Sequence, residues 1–228
     1  NCMSWRIANK ESVLKGRSHC TSCNHTLGLL DLIPVFSYIL LKGKCRYCKR
    51  KISPRYMLVE LIMALTFILV VLKYDVTLET VKYLVFICIL MGLSLVDFEI
   101  YEIPDRFIAF GIIWWIVMLP FSPGDIWSNI KLGAIAAFAF GGGMLLLSII
   151  FDKVTGKESL GGGDIKLFFL VGLFLGPWVS LLNLIIACFL GLLLAAVLKS
   201  ERIPFGPSIS GATFISLIWG QNIVNWYL

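Results

Sequence analysis

The stretch that decides the fold covers residues 164–198 and reads DIKLFFLVGLFLGPWVSLLNLIIACFLGLLLAAVL. Its only charged residues are Asp164 and Lys166, and the pair Gly176-Pro177 interrupts it. A membrane-spanning helix needs about 20 predominantly apolar residues. We therefore predict two spans here, 164–176 and 178–198. The first is short, so a tilted or partly re-entrant path also fits it.

Comparable apolar stretches recur along the whole chain. Of its 228 residues, 58% are hydrophobic and 15% are charged, which excludes a soluble domain of this size. We predict an all-α, polytopic transmembrane helix bundle over residues 56–228. Besides the two spans above, the predicted spans are 56–72, 80–97, 106–121, 128–150 and 207–226.

Residues 1–55 form a polar region with eleven Lys and Arg residues. Its one apolar stretch, residues 27–41, contains Asp31 and Pro34 and is too short and broken to cross a membrane. It fits either an interfacial helix or the core of a small cytoplasmic domain.

The basic residues determine the predicted orientation. With residues 1–55 in the cytoplasm, seventeen Lys and Arg fall on that side and three on the other. The net charge of +6 therefore reflects membrane topology, and no nucleic-acid partner is expected. We predict a multi-pass protein of the bacterial cytoplasmic (inner) membrane, with the lipid bilayer as its surroundings. The oligomeric state is left undetermined.

Four of the seven cysteines form two Cys-x-x-Cys pairs, Cys20 with Cys23 and Cys45 with Cys48. Two thiolate pairs at this spacing are typical of a structural zinc site with four sulfur ligands. Disulfides are disfavoured, because the predicted topology places these cysteines in the reducing cytoplasm. Free thiols or a redox function are the alternatives. We predict a structural zinc in a small N-terminal cytoplasmic domain, residues 1–55.

Two carboxylates lie where apolar segments meet the predicted cytoplasmic face. Asp97 ends one span and is followed by an acidic turn up to Pro104, and Asp164 begins another span after three glycines. An aspartyl protease needs two neighbouring carboxylates that share one proton: one activates water and the other donates a hydrogen bond to the scissile carbonyl. Gly161 and Gly163 let the backbone approach such a site closely. Asp97 and Asp164 are therefore our candidate catalytic pair.

Other interpretations of these carboxylates remain open. An Asp at a helix N-terminus caps the helix and complements its dipole, so an ordinary interfacial role is one of them. The rival from another class is a non-enzymatic transporter or assembly scaffold. Transport favours acidic residues near mid-membrane and internal repeats, whereas the acidic residues here cluster at one face.

The motifs resemble those of the type IV prepilin peptidases, which belong with the Gly-x-Gly-Asp intramembrane aspartyl proteases. The resemblance covers nearly the whole chain and includes several motifs in the same order. They are Asp97 with Ile103-Pro104-Asp105, then Gly161-x-Gly163-Asp164-x-Lys166 and Ile203-Pro204-Phe205-Gly206-Pro207, together with both Cys-x-x-Cys pairs and Arg55-Tyr56-x-x-Val59-Glu60. The family fold normally begins with one more membrane helix, so the sequence looks N-terminally shortened.

The resemblance implies a protease that removes the basic leader of type IV prepilins, or of pseudopilins, by cutting after a Gly on the cytoplasmic side. It also implies methylation of the new N-terminus with S-adenosylmethionine as cofactor. The family's catalytic aspartates correspond to Asp97 and Asp164.

Further residues are candidates for supporting roles. Glu60 lies within a predicted span, where an ionisable residue is a functional candidate, although pairing with Arg55 or snorkelling fits equally well. Lys166 either biases the ionisation of Asp164 or faces water. Pro104 interrupts the helical pattern in the turn after Asp97. Four acidic residues would attract a basic leader or simply be solvated: Glu99, Glu102, Asp105 and Glu158.

Overall fold

The structure is a computed structural model, and it describes residues 2–8, 17–156, 160–199 and 203–227. Over these ranges the regular structure is helical, and the β pairing consists of two isolated bridges, His19 with Thr26 and Lys44 with Lys51. The all-α prediction is confirmed. The chain divides into two compact units, Asn1–Leu69 (the first unit) and Val70–Leu228 (the second unit). This division falls inside a long helix, whereas the sequence prediction placed a boundary where that helix begins.

The first unit contains little regular structure before its long helix. Its elements are α1 (Cys2–Ala8), a 3-10 helix (Leu29–Leu32), α2 (Phe36–Leu40) and the start of α3 (Pro54–Tyr74). The apolar stretch 27–41 forms only the two short helices, and four of its six leucines are exposed, with Leu29 at 83% and Leu40 at 80%. This exposure favours the interfacial interpretation over the core of a small domain.

The second unit is built from long apolar helices. In chain order they are α4 (Leu78–Ile100), α5 (Asp105–Met118), a 3-10 turn (Leu119–Phe121), α6 (Ile126–Ala137), a π-helical turn (Phe138–Gly142), α7 (Gly143–Thr155), α8 (Gly162–Leu198), α9 (Gly206–Ile215), a second π-helical turn (Ser216–Gly220) and α10 (Gln221–Tyr227).

Four helices in the described part of the chain are long and apolar enough to cross a membrane. They are Pro54–Tyr74, Leu78–Ile100, Ile126–Thr155 and Gly162–Leu198. The last of these contains both spans predicted between 164 and 198. The predicted span 106–121 falls on α5, whose 14 residues rise only about 21 Å against a hydrocarbon core of about 30 Å. The multi-pass architecture is thus established, while the count of seven spans stays a prediction.

A break divides α8 where the sequence predicted it. Gly176 has φ 70° and ψ 177°, a conformation that a residue with a side chain resists, and Pro177 follows it. On the N-terminal side of the break, the ring of Phe174 stacks on Phe86 of α4, with ring centroids 3.7 Å apart. The two halves of α8 can therefore take different directions, and the first half begins with Asp164.

Helices α6 and α8 approach closely through small residues four positions apart. A Cβ added to Gly172 of α8 would lie 2.7 Å from the backbone of Ala137, and one added to Gly133 would lie 3.0 Å from the backbone oxygen of Leu173. A Cβ added to Gly141 would likewise lie 2.7 Å from Cβ of Phe169 in α8. Such close backbone approach is how membrane helices gain dispersion contacts. It fixes the start of α8 relative to the rest of the second unit.

Candidate active site

Asp97 lies in the last turn of α4, and the sequence around it ends that helix. Tyr101 takes a left-handed conformation (φ 56°) and its N–H donates to the carbonyl oxygen of Asp97 over 2.9 Å. Pro104 is the N-cap residue of α5, so a tight turn separates the two helices. Asp97 is only 5% exposed, and its Oδ2 accepts a 2.9 Å hydrogen bond from the N–H of Gly206.

Asp164 lies in the first turn of α8, with Gly161 as the N-cap residue. Its own N–H donates to the carbonyl oxygen of Gly161 over 3.0 Å. The neighbouring glycines are needed for space: a Cβ on Gly163 would lie 2.9 Å from Cβ of Ile103, and one on Gly161 would lie 3.1 Å from Oδ2 of Asp164. Gly163 therefore lets the start of α8 contact the turn that follows α4, whereas a Cβ on Gly162 would meet nothing within 4 Å.

Both carboxylates line one open cavity of about 300 Å³. Two carboxylates that line one cavity of this size would repel each other if both were ionised, so they favour a state that shares one proton. The lining consists of two chain segments that the sequence singled out, the turn after α4 and the start of α8. Its residues are Asp97, Tyr101, Glu102, Ile103, Asp105, Gly161, Gly162, Gly163, Asp164 and Lys166.

The rim of this cavity is charged. Lys166 Nζ lies 2.6 Å from Oδ1 of Asp105, and both side chains are more than half exposed. Lys166 therefore pairs with Asp105 at the surface. Glu102 adds a further acidic group to the lining, while Glu158 lies outside the described residues.

Glu60 belongs to the first unit, and its contact there is with the backbone. Its carboxylate accepts a 2.9 Å hydrogen bond from the N–H of Val35, a residue with φ 62° and ψ −50°. A β-branched residue in that conformation is strained and needs a fixed partner. The contact gives Glu60 a structural task in holding the segment before α2.

The four cysteines of the predicted zinc site come together in the first unit. The sulfurs of Cys20, Cys23, Cys45 and Cys48 all lie within 4.8 Å of one another, and this cluster has the composition and spacing to hold a metal ion. Among the residues that the structure describes, the group consists of these four thiols, which is the ligand set of a closed structural zinc site.

The two Cys-x-x-Cys turns repeat one backbone pattern. The N–H of Cys20 donates to His25 O, as that of Cys45 donates to Arg50 O, each over 2.9 Å. Asn24 and Lys49 have the matching left-handed conformation, with φ 55° and 59°.

Cys20 is also prepared electrostatically for binding a metal. Burial opposes ionisation of its thiol, but hydrogen bonds from the backbone of Ser22 and Cys23 outweigh burial and lower its pKa to about 7. A thiol must lose its proton to bind a metal. The Cys20 thiol therefore ionises near neutral pH, whereas the pKa of its neighbour Cys23 is raised to about 11, so binding a metal here would release a further proton from the cluster.

Comparison with known proteins places the chain in a family. Residues 1–74 match the bacterial peptidase A24 N-terminal domain, and residues 84–196 match the type IV leader peptidase family. The prepilin leader peptidase/N-methyltransferase of Aeromonas hydrophila is 35% identical over 221 residues, which are 93% of this chain and 74% of that protein. The chain belongs to the type IV leader peptidase family.

Two further relatives extend the comparison. The prepilin leader peptidase/N-methyltransferase of Bacillus subtilis strain 168 is 32% identical over 98% of this chain and 90% of its own length. The type 4 prepilin-like proteins leader peptide-processing enzyme of Escherichia coli O78:H11 is 35% identical over 90% of this chain and 76% of its own length. No solved structure matches the chain.

One contact in this leader peptidase family member was not foreseen from the sequence. The N–H of Gly206 binds Asp97 across a separation of 109 residues. The motif from Ile203 to Pro207 was recognised only as one of the motifs shared with the prepilin peptidases. A glycine followed by a proline at a helix start did signal a special backbone position, but nothing in the sequence identified its partner.

Proposed function

We propose that this chain removes the basic leader from type IV prepilins or pseudopilins, with Asp97 and Asp164 as its catalytic pair. The observation that supports this most is the single cavity that both carboxylates line, at the ends of two apolar helices. Membership of the type IV leader peptidase family supports the reaction class.

The chemistry that two such carboxylates perform is peptide hydrolysis without a covalent intermediate. The ionised carboxylate takes a proton from a water molecule, whose oxygen attacks the scissile carbonyl carbon while the protonated partner donates to the carbonyl oxygen. The tetrahedral intermediate then collapses, the C–N bond breaks, and the proton held by the first carboxylate passes to the leaving amine.

The charges on the cavity rim fit a basic leader. Asp105 and Lys166 neutralise each other there, whereas Glu102 adds negative charge beside the proposed pair, so the lining carries a net negative charge that attracts a basic segment. A prepilin presents its leader to the cytoplasm and an apolar helix to the bilayer. Its cleavage site would therefore arrive at the depth where helices α4 and α8 meet the interface.

The same topology determines the proposed location. We place the site at the cytoplasmic face of the bacterial inner membrane, because seventeen of twenty Lys and Arg fall on that side of the predicted spans. Residues 1–55 form the cytoplasmic region and residues 56–228 the protease bundle. The exposed apolar side chains of the short helices at 29–40 would rest on a membrane–water interface.

The cysteine cluster is proposed as a structural zinc site. The four thiolates of Cys20, Cys23, Cys45 and Cys48 would complete a tetrahedron and leave no open position for substrate. The metal would therefore hold the fold of this region and take no part in the cleavage.

Methylation of the new N-terminus is proposed as a second activity, with S-adenosylmethionine as methyl donor. Its support is the resemblance and the names of the relatives, which include an N-methyltransferase. Because it needs the free amine that cleavage creates, methylation would follow proteolysis.

The test is cleavage of a purified prepilin, whose leader ends in Gly, by the detergent-solubilised protein. We expect Asp97→Asn and Asp164→Asn each to lower kcat by about 1,000-fold or more, because Asn keeps the shape but cannot exchange the proton. Labelled S-adenosylmethionine in the same reaction reports methyl transfer. It should label an already cleaved pilin equally well with either variant.

Asp75→Asn is the matched control. It removes a carboxylate from the exposed loop at the opposite end of α4, so cleavage should proceed at the wild-type rate. If both Asp97→Asn and Asp164→Asn cut as fast as the wild type, the two-carboxylate mechanism is wrong, and a scaffold or transporter becomes the better description.

A further inference from the structure

The start of α9 directs one backbone donor at Asp97. Gly206 is the first residue of α9, and its N–H lies 2.9 Å from Oδ2 of Asp97. Pro207 has no N–H, and the N–H groups of Ser208 and Ile209 both donate to the carbonyl oxygen of Phe205. Within this first turn, the Gly206 amide is thus the N–H that donates to the Asp97 carboxylate.

This contact requires glycine. A Cβ added at residue 206 would lie 2.7 Å from Oδ2 of Asp97 and 3.3 Å from Cδ1 of Ile103. Contacts below 3.0 Å do not persist, so any larger residue would move the carboxylate away from the amide. The backbone comes close to Asp97 because position 206 has no side chain.

Contacts with two other helices fix the position of α9. On one side, the hydroxyl of Ser210 lies 2.8 Å from that of Ser94, three residues before Asp97 in α4. On the other side, the ring of Phe205 fills the space beside Gly191 of α8, where an added Cβ would lie 2.6 Å from the ring. The amide is therefore held in place before any substrate arrives, which is what preorganisation of a site requires.

We propose that Gly206 is a positioning residue that makes the pair asymmetric, holding Asp97 as the ionised carboxylate and leaving the shared proton on Asp164. A backbone N–H can only donate, so its hydrogen bond favours an oxygen without a proton. The positive end of the α9 dipole adds to this preference. The negative charge on Asp97 then keeps the proton on its neighbour.

This assignment rests on the proposed protease function and adds the role of each carboxylate. Asp97 takes the proton from water, and Asp164 donates to the carbonyl oxygen. The other charged groups on the cavity are Glu102, Asp105 and Lys166, and the latter two pair with each other. Helix α9 contributes no ionisable side chain, so its influence on Asp97 comes from the backbone.

The test is Gly206→Ala in the purified full chain, assayed on the same prepilin over a range of pH. We expect kcat to fall about 10- to 100-fold with little change in KM, since a hydrogen bond to a charged group is lost. The acid limb of the pH–rate profile should move up by about one pH unit, because ionised Asp97 loses its donor. A simple loss of packing would lower the rate without moving that limb.

The fold should survive this change, because the atom that must yield is the end of a side chain and Ala favours a helix. Gly211→Ala is the control on the same helix. Its Cβ would meet Leu190 at an ordinary 3.4 Å, so activity and pH profile should match the wild type.

The outcomes separate this inference from the proposed function. If the wild type cleaves the prepilin and Gly206→Ala cleaves it with unchanged kcat and pH profile, Gly206 has no positioning role while the protease assignment stands. Movement of the alkaline limb instead of the acid limb would reverse the roles of the two carboxylates. Failure of the wild type to cleave would count against the proposed function itself.

Discussion

The two units of the molecule are stabilised in different ways. Among the described residues of the first unit, Cys45 is the sole buried hydrophobic side chain, whereas the second unit buries Phe86, Phe168, Leu93 and many others. The ordered feature of the first unit is a pair of similar cysteine turns, whereas the second unit is held by close contacts between helices. A segment without an apolar core cannot offset its conformational entropy by burial alone, so it needs a cross-link or a metal.

This difference suits the two tasks that we propose for the units. The proposed catalytic pair of the second unit must be held within about 0.5 Å of its productive geometry. Rigid helices with small residues at their contacts provide that precision. The first unit has a closed ligand set, which specifies one local shape without contributing chemistry. Changes to metal binding, to packing and to surface charge should therefore affect the two units unequally.

The largest expected effect is the loss of the proposed zinc site through Cys45→Ser. Structural zinc contributes about 10 kcal/mol or more to the folding of small domains, and Cys45 is 3% exposed. We expect bound zinc to fall to near zero and trypsin to cut residues 17–53 at least about tenfold faster, with the second unit intact. Metal analysis and timed proteolysis would measure this.

Cys188→Ser is the control for that experiment, because Cys188 is an exposed cysteine of α8 outside the cluster. It should keep both the zinc and the wild-type cutting pattern. Unchanged zinc content in Cys45→Ser would show that this residue is not a ligand.

The next effect concerns the close contact of α6 with α8. Gly172→Ala would place a Cβ 2.7 Å from the backbone of Ala137, and backbone atoms cannot move aside as a side chain can. We expect a loss of about 1–3 kcal/mol in the free energy of unfolding of the second unit, measured by denaturation in mixed micelles. Zinc binding by the first unit should not change.

Gly142→Ala is the matched comparison, since a Cβ there would have no neighbour within 4 Å. Ala also favours the helix, so stability should stay the same or rise slightly. Equal destabilisation by Gly142→Ala and Gly172→Ala would mean that flexibility, and not close packing, explains the glycines of this region.

The glycines also show which features the sequence could predict. Apolar length and the Gly176-Pro177 break predicted the helices, because both act locally along the chain. Close packing cannot be read from a run of glycines alone: in Gly141-Gly142-Gly143, an added Cβ meets a neighbouring side chain only at Gly141. Which face of a helix turns toward another depends on contacts between distant segments, and a single sequence does not record them.

The candidate site shows the same limit. Asp97 and Asp164 were predictable as a pair because topology places both at one face, and two thiolate pairs predicted the cysteine cluster. The contacts of Gly206 with Asp97 and of Val35 with Glu60 were not predictable, because each uses a backbone N–H. Every residue except proline has that donor, so the residue type gives no signal.

The smallest expected effect is the loss of a surface ion pair in the first unit through Asp31→Asn. Nε of Arg46 lies 2.6 Å from Oδ1 of Asp31, and the N–H of Gly28 donates to Oδ2 over 3.2 Å. The hydrogen bond from Arg46 lowers the pKa of the Asp31 carboxyl below its usual value. Because the Arg46 side chain is 46% exposed, solvent and salt weaken the pair.

The sign of its pH dependence follows from that lowered pKa. The ionised carboxylate stabilises the folded state fully above about pH 4, where Asp ionises in an unfolded chain, and the contribution disappears as the pH falls through the lower folded-state pKa. Protection of the Gly28 amide against hydrogen exchange should therefore be greater in the wild type than in Asp31→Asn at pH 7. The difference should shrink below about pH 4 and also in about 1 M salt, where charges are screened within a few ångströms. A difference that persists in high salt would indicate that Asp31 acts through its hydrogen bond to Gly28, which Asn only partly replaces, more than through its charge.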